Sequence, residues 1–210
     1  MSDLYPKIMS PYKRHTEGPL RNKPDPTQWA RPEFDVLSGL DWVWTEKVDG
    51  TNVRILWDGY KVRFGGRTDD AQMPTSLLGV LTEMFPEELL EQQFGVTPAV
   101  LYGEGYGAKI QKGGGNYRPD QSFVLFDVKV GDWWLLPASV EEVAQTMSLH
   151  VVPHVCTGSI PTAIEVVSAG LKSAWGFFEA EGLVGRPPMG IKARDGDRLL
   201  VKIKSVDFRA

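Results

Sequence analysis

Glu46-Lys47-Val48-Asp49-Gly50-Thr51-Asn52 sets a lysine at the end of one strand-like run and follows it at once with a turn carrying Asp, Gly, Thr and Asn. Upstream, Asp41 to Val48 reads as a β-strand; downstream, Asn52 to Trp57 reads as a second. Asp58-Gly59 then predicts a two-residue type I′ hairpin turn, with positive φ at both centres, leading into Lys61 to Phe64. A lysine becomes a nucleophile when burial or nearby cations disfavour its charged form. A lysine beside an Asp-Gly turn is also a common surface feature, so Lys47 acquires meaning only from its company.

Beyond this hairpin the pattern stays mixed. Thr75 to Phe94 is helical in pattern and split by Pro86, since a proline removes a helix donor and clashes with the preceding turn. Val100 to Glu104 and Phe123 to Val130 read as strands, with Gly131-Asp132 turning the latter into Trp133 to Leu136. Ser139-Val140-Glu141-Glu142 has the form of a capping box opening a helix through Met147. A further helix is expected from Pro161 to about Ala174, and late strands around Leu183 and over Leu199 to Ile203. Strands in hairpins with helices inserted between them predict an α+β fold of mainly antiparallel sheets with flanking helices. Residues 1–34 are rich in proline and basic side chains and are expected to form an arm packed on a domain spanning 35–210.

The company of Lys47 is a series of charged groups at strand ends. Leu101-Tyr102-Gly103-Glu104-Gly105 sets a carboxylate between glycines, where backbone approaches a ligand closely. Phe123-Val124-Leu125-Phe126-Asp127 offers an aromatic plane suited to stacking on a base. Ala180-Glu181-Gly182 repeats the carboxylate pattern. In Leu200-Val201-Lys202-Ile203-Lys204 the two lysines project from one strand face, an arrangement that favours an anion such as phosphate between them.

In this order the set resembles the nucleotidyltransferase motifs of ATP-dependent ligases and capping enzymes. Lys47-Val48-Asp49-Gly50 is similar to motif I, Glu104 to motif III, Phe126-Asp127 to motif IIIa, Glu181-Gly182 to motif IV and Lys202-x-Lys204 to motif V. The closest likeness is to the RNA ligase 2-type family, on Asn52 where DNA ligases generally carry Arg, on Gly66-Arg67-Thr68, and on Glu104 followed by Ile110-Gln111-Lys112 and Phe126-Asp127. The likeness spans roughly residues 41–206.

The resemblance implies a ligase adenylation fold and a sequence of three steps. Lys47 takes AMP from ATP, the AMP passes to a 5′-phosphate end, and a 3′-OH then attacks to seal the strand. It implies Lys47, Lys202 and Lys204 as catalytic, one of the latter two lowering the pKa of Lys47 by like-charge proximity and both binding the α-phosphate. Glu104 is implied on the ribose hydroxyl, Phe126 on adenine, Glu46 at the adenine edge, and Asn52 and Arg67 on phosphate or ribose. Mg²⁺ or Mn²⁺ is implied with few direct protein ligands, Glu181 first among them. Six residues follow Lys204, so the expectation is a minimal form without a C-terminal barrel or helical domain. A helper protein is then expected to supply grip on the nucleic acid. The rivals are a capping-type or DNA-ligase-type nucleotidyltransferase and a non-catalytic module that binds a nucleotide or an RNA end; Thr51-Asn52 and Glu46 count against capping, and the intact lysines and carboxylates against a mere binder.

Composition bounds the rest. A net charge of -4 excludes bulk positive charge as the route to a polynucleotide, so local patches must serve: Lys7, Lys13 and Arg14 in the arm, and Lys109, Lys112 and Arg118. Gly113-Gly114-Gly115-Asn116 is read as a connector. The single cysteine, Cys156, excludes an internal disulfide framework and suits a reducing compartment. No apolar leader or membrane-length run occurs, so a soluble cytoplasmic protein is expected. His150, His154 and Cys156 stand at even positions, but Pro153 interrupts them and no fourth ligand is near, so satisfied polar edges are preferred over zinc. The tryptophans are expected in core and hairpin packing.

Overall fold

The computed structural model describes residues 3–209. Chain contacts divide them into two compact units, one holding the described residues up to Tyr5 with Val48–Val152, the other Pro6–Lys47 with Pro153 onward. The chain passes from one unit to the other immediately after Lys47.

In the first unit the strands run in the order Val62–Gly65, Thr51–Trp57, Ala99–Gly107, Gln121–Val130 and Trp133–Trp134, with His150–Val151 parallel to Gln121–Val130. Strand alternation sends Val53, Ile55, Leu101, Phe123 and Leu125 to one face, where they pack with Leu77, Leu81, Phe85 and Leu90. Those leucines and Phe85 come from helices Thr75–Met84 and Glu87–Phe94 and the residue between them, and Pro86 is the extended residue that separates the two. Helix Pro137–Thr146 adds Val140, Val143 and Ala144 to the same core. The opposite face carries Asn52, Arg54, Tyr102, Glu104 and Asp127, which meet as cross-strand partners.

In the second unit an antiparallel sheet runs in the order His154–Gly158, Trp42–Glu46, Gly182–Arg186, Val201–Lys204. Trp42, Trp44, Leu183, Val201 and Ile203 form one face and pack with Ile160, Ala163 and Val167 of helix Ile160–Ser168. The basic N-terminal stretch is not merely extended: Tyr12–Arg14 pairs antiparallel with Pro24–Trp29, and Met9 bridges Val201.

Several local expectations differ from the structure. Asp58-Gly59 is not a two-residue turn, because Trp57 pairs with Val62 and leaves four residues in the loop. Only Gly59 of the pair has positive φ, and Asp58 Oδ1 accepts from the Tyr60 and Lys61 amides, a side-chain solution that removes the need for type I′. Ser139 caps nothing; its helix starts two residues earlier on Pro137, whose fixed φ suits a first turn. The helix expected to reach Ala174 stops at Ser168, two residues before Gly170 at φ 93. His150 lies in the sheet of the first unit and His154 and Cys156 in that of the second, so no single strand face carries all three. Burial pushes the Cys156 thiol up from its usual range. Trp42, Trp44 and Trp57 are buried as expected, whereas Trp133 is exposed.

Candidate functional site

Lys47 directly follows strand Trp42–Glu46, and its amide donates to the Gly182 carbonyl at 2.9 Å, extending the sheet by one residue. Alternation turns its side chain away from the face of Trp42 and Trp44 and onto the face of Lys202 and Lys204, where Val201 and Ile203 take the buried side. Glu181 joins the two ends of this face: its Oε2 accepts from Lys47 Nζ at 2.5 Å, and its Oε1 lies 2.9 Å from Lys204 Nζ. The Glu181 backbone carbonyl is fixed by the Ser205 amide at 2.8 Å. Lys202 sits opposite Val184 with its amide donating to the Met9 carbonyl.

Glu46 falls on the other side of the same strand, the core side, and is only 2% exposed. Burial raises its pKa, partly offset by the Ala174 amide, which donates to Oε2 at 2.8 Å. Oε1 is buried with no hydrogen-bond partner among the described residues. An acceptor left so costs about 1–3 kcal/mol, which a donor such as an exocyclic amine would recover.

In the first unit Gly50 lies against the neighbouring strand so tightly that a Cβ would stand 2.3 Å from the Gly105 carbonyl oxygen and 2.7 Å from Glu104 Cγ. The Asp49-Gly50 turn is braced from elsewhere in the unit: Tyr117 Oη accepts from the Asp49 amide at 3.1 Å, and Gln111 Nε2 donates to the Gly50 carbonyl at 2.9 Å. The glycine run between Gln111 and Tyr117 holds a short 3-10 turn, Gly114–Asn116. Asn52 pairs across the sheet with Glu104, so both project from one face, and Asn52 Oδ1 is a second buried acceptor without a partner among the described residues.

Phe126 owes its position to a β-bulge. Tyr102 pairs with Asp127 but Gly103 pairs with Leu125, which leaves Phe126 as the extra residue. A bulge of this kind re-aims a side chain that strict alternation would bury. The Phe126 ring meets that of Tyr5 edge-on with centroids 5.0 Å apart, and Tyr5 Oη donates to Asp127 Oδ2 at 2.8 Å. Tyr5 was not anticipated; nothing in a lone tyrosine ahead of Pro6 signals it.

Arg54 was also missed, because a cation inside a strand pattern reads as solvent-facing. It is 1% exposed, with Nε donating to the Gly66 carbonyl at 2.7 Å and Nη2 to Asp69 Oδ1 at 2.9 Å. It thereby pins both ends of the turn that displays Arg67, itself exposed. Of the basic contact candidates, Arg14 pairs with Asp207 and Arg118 with Asp120, whereas Lys7, Lys13, Lys109 and Lys112 are exposed. The Asp120 carboxylate also raises the Arg118 pKa further.

Lys47, Glu181 and Lys204 are thus in direct contact, and Asn52, Glu104 and Phe126 share one sheet face and its bulge. Within the second unit the lysine pair suits a phosphate and the buried Glu46 Oε1 an amine donor; within the first, Asn52 Oδ1 offers a buried acceptor. Among the described residues no group of three His, Cys, Asp or Glu side chains is set to hold a metal ion. Both oxygens of Glu181 are engaged by ammonium groups, so it contacts a metal only in exchange for one of them. A divalent ion fits here as one held largely by phosphates and water, with at most one or two carboxylates. Among the described residues no helix is long and apolar enough to cross a membrane.

The chain resembles a Naegleria gruberi RNA ligase variant solved with AMP and Mn, at TM-score 0.67 and 18% identity over 83% of this chain and 52% of that one. It resembles another variant solved with ATP and Mn at TM-score 0.67 and 19% identity, over 96% of this chain and 61% of that one. The same ligase solved with PPi matches at TM-score 0.65 and 19% identity, over 96% and 62%. The chain spans about half the length of the first of these structures. No curated protein sequence matches. The likeness at this identity is one of fold, an antiparallel α+β architecture. The RNA ligase family profile matches residues 40–204, most of the chain, and the protein therefore belongs to the RNA ligase family.

Proposed function

We propose that this protein is an ATP-dependent RNA ligase that adenylylates itself on Lys47. The observation that carries the reading is the Lys47–Glu181–Lys204 contact, two ammonium groups drawn to one carboxylate at the end of a sheet. Lys47 Nζ attacks the α-phosphorus of ATP, forming the N–P bond as the bond to pyrophosphate breaks. It must first lose a proton, and Glu181, already in contact with Nζ, is the acceptor at hand. Lys202 and Lys204 hold the α-phosphate oxygens, whose charge grows in the transition state. A divalent ion such as Mg²⁺ or Mn²⁺ would supply charge neutralisation on the leaving phosphates, and Glu181 is the side chain that would hold it.

Glu46 Oε1 accepts from the adenine amine, Glu104 and Asn52 hydrogen-bond the ribose or phosphate, Phe126 stacks on the base, and Arg67 meets phosphate. AMP then moves to an RNA 5′-phosphate, and the 3′-OH of a second end attacks that phosphorus and releases AMP. Residues 35–210 supply this adenylyltransferase domain, with 1–34 as its arm. A partner protein adds grip on the RNA. The lone Cys156 suits a reducing, cytoplasmic setting.

Incubation with labelled ATP or labelled GTP and a divalent ion, followed by a denaturing gel, tests the reading. Label from ATP that is lost in Lys47→Ala supports it. Label from GTP alone points to capping chemistry, and no label from either leaves a nucleotide or RNA-end binder. Sealing of nicked all-RNA, all-DNA and mixed duplexes then identifies the strand joined.

A further inference from the structure

The segment immediately before Glu181 does something the ligase chemistry leaves unused. Lys172 and Glu179 form an antiparallel bridge, and inside it the Ser173 amide donates to the Phe178 carbonyl at 2.9 Å. The Trp175 amide donates to Ser173 Oγ at 3.1 Å, and the Ala174 amide to Glu46 Oε2 at 2.8 Å. Residues 173–178 are therefore a tied loop rather than a slack one. At its tip Phe177 is fully exposed, at 109% of its reference surface.

A large aromatic ring held out into water on a fixed loop suits a flat apolar partner that arrives with its own charge. The charges nearby in the sequence and contacts say which. Lys172 and Arg209 flank the loop base at Glu179, with Arg209 paired to it, and Lys47 and Lys204 share Glu181 two residues on. In a chain of net charge -4 this stretch carries four cations against Glu179 and Glu181, Glu46 being buried. An aromatic tip over a cationic base is the chemistry that holds single-stranded nucleic acid, stacking for bases and ammonium or guanidinium groups for phosphates. A neutral protein surface would satisfy the ring but leave the cations without counter-charges, whereas a strand of nucleic acid supplies flat bases and phosphates together.

We infer that Phe177 is a base-stacking contact for an unpaired RNA end, with Lys172 on the adjoining phosphate. The inference rests on the RNA ligase reading for the identity of the strand, though not on adenylylation. The test is fluorescence anisotropy of a labelled single-stranded oligoribonucleotide with the full chain and no ATP, across a salt series. Phe177→Ala is expected to weaken binding about ten-fold, and Phe177→Trp to restore it. Phe177→Ala leaves the slope against log salt unchanged, whereas Lys172→Ala lowers it by about one. Thermal midpoints check that both variants are folded. If folded Phe177→Ala binds the oligonucleotide as the unaltered chain does, the inference is overturned and the ring serves a protein surface instead. If the chain forms no adduct with ATP yet Phe177→Ala still loses RNA affinity, the ligase reading fails and the stacking contact stands.

Discussion

Glu181 and Lys47 meet end to end, Oε2 to Nζ at 2.5 Å, while the second carboxylate oxygen is 2.9 Å from Lys204. One carboxylate thus bridges two ammonium groups and leaves one positive charge unbalanced, which an anion can meet. Lys47→Ala and Lys47→Arg are expected to yield no covalent label from ATP, since neither keeps an amine that can attack. Lys204→Ala and Glu181→Gln keep the nucleophile and are expected to slow adduct formation about 100-fold or more, read as single-turnover rates on a denaturing gel. Wild-type rates in Glu181→Gln would remove Glu181 from the chemistry.

The bulge at Phe126 yields a prediction about affinity rather than rate. Phe126→Ala removes a stacking plane worth about 1–3 kcal/mol, so half-maximal labelling should need roughly ten times more ATP. Phe126→Tyr keeps the plane and should restore the wild-type concentration. Tyr5→Phe deletes the hydrogen bond to Asp127 while keeping the ring contact, and should raise the ATP requirement by a smaller factor.

Arg54 is expected to be structural first. Arg54→Met leaves the Gly66 carbonyl without its donor and should cost about 1–3 kcal/mol, measured by urea unfolding. Asp69→Asn should cost little, because that carboxylate is largely exposed and a surface pair contributes ~0–1 kcal/mol. Equal losses in the two variants would mean that the ion pair, not the carbonyl bond, fixes the turn.

Glu46 sets a pH dependence. Burial raises its pKa in the folded chain, so the folded state holds this proton more tightly than the unfolded state does. That contribution is complete in acid and is lost as pH rises through the raised value. Glu46→Gln lacks it, so the variant should gain stability relative to the unaltered chain from acid to neutral pH, by thermal midpoint. A constant difference across that range would contradict the burial argument.

The central hairpin, the split at Pro86 and the motif lysines and carboxylates were legible because each depends on neighbours in sequence or on strand alternation. What escaped depends on partners far along the chain. No local signal announces the bulge, since it exists only in the register of Gln121–Val130 against Ala99–Gly107. The burial of Arg54 follows from a carbonyl twelve residues on, and the role of Tyr5 from an aspartate 122 residues away. Ser139 misled for the opposite reason: a capping-box pattern was present, but Pro137 already offered the helix a start.

The strand that Lys47 directly follows lies between His154–Gly158 and Gly182–Arg186, both of which leave the ribosome more than a hundred residues later. Trp42 and Trp44 must therefore wait for their neighbours while the strands between Thr51 and Val130 already have theirs. Synthesis itself orders the two units: a nascent chain halted near Val152 holds all the strands of one sheet and only the lysine-bearing strand of the other.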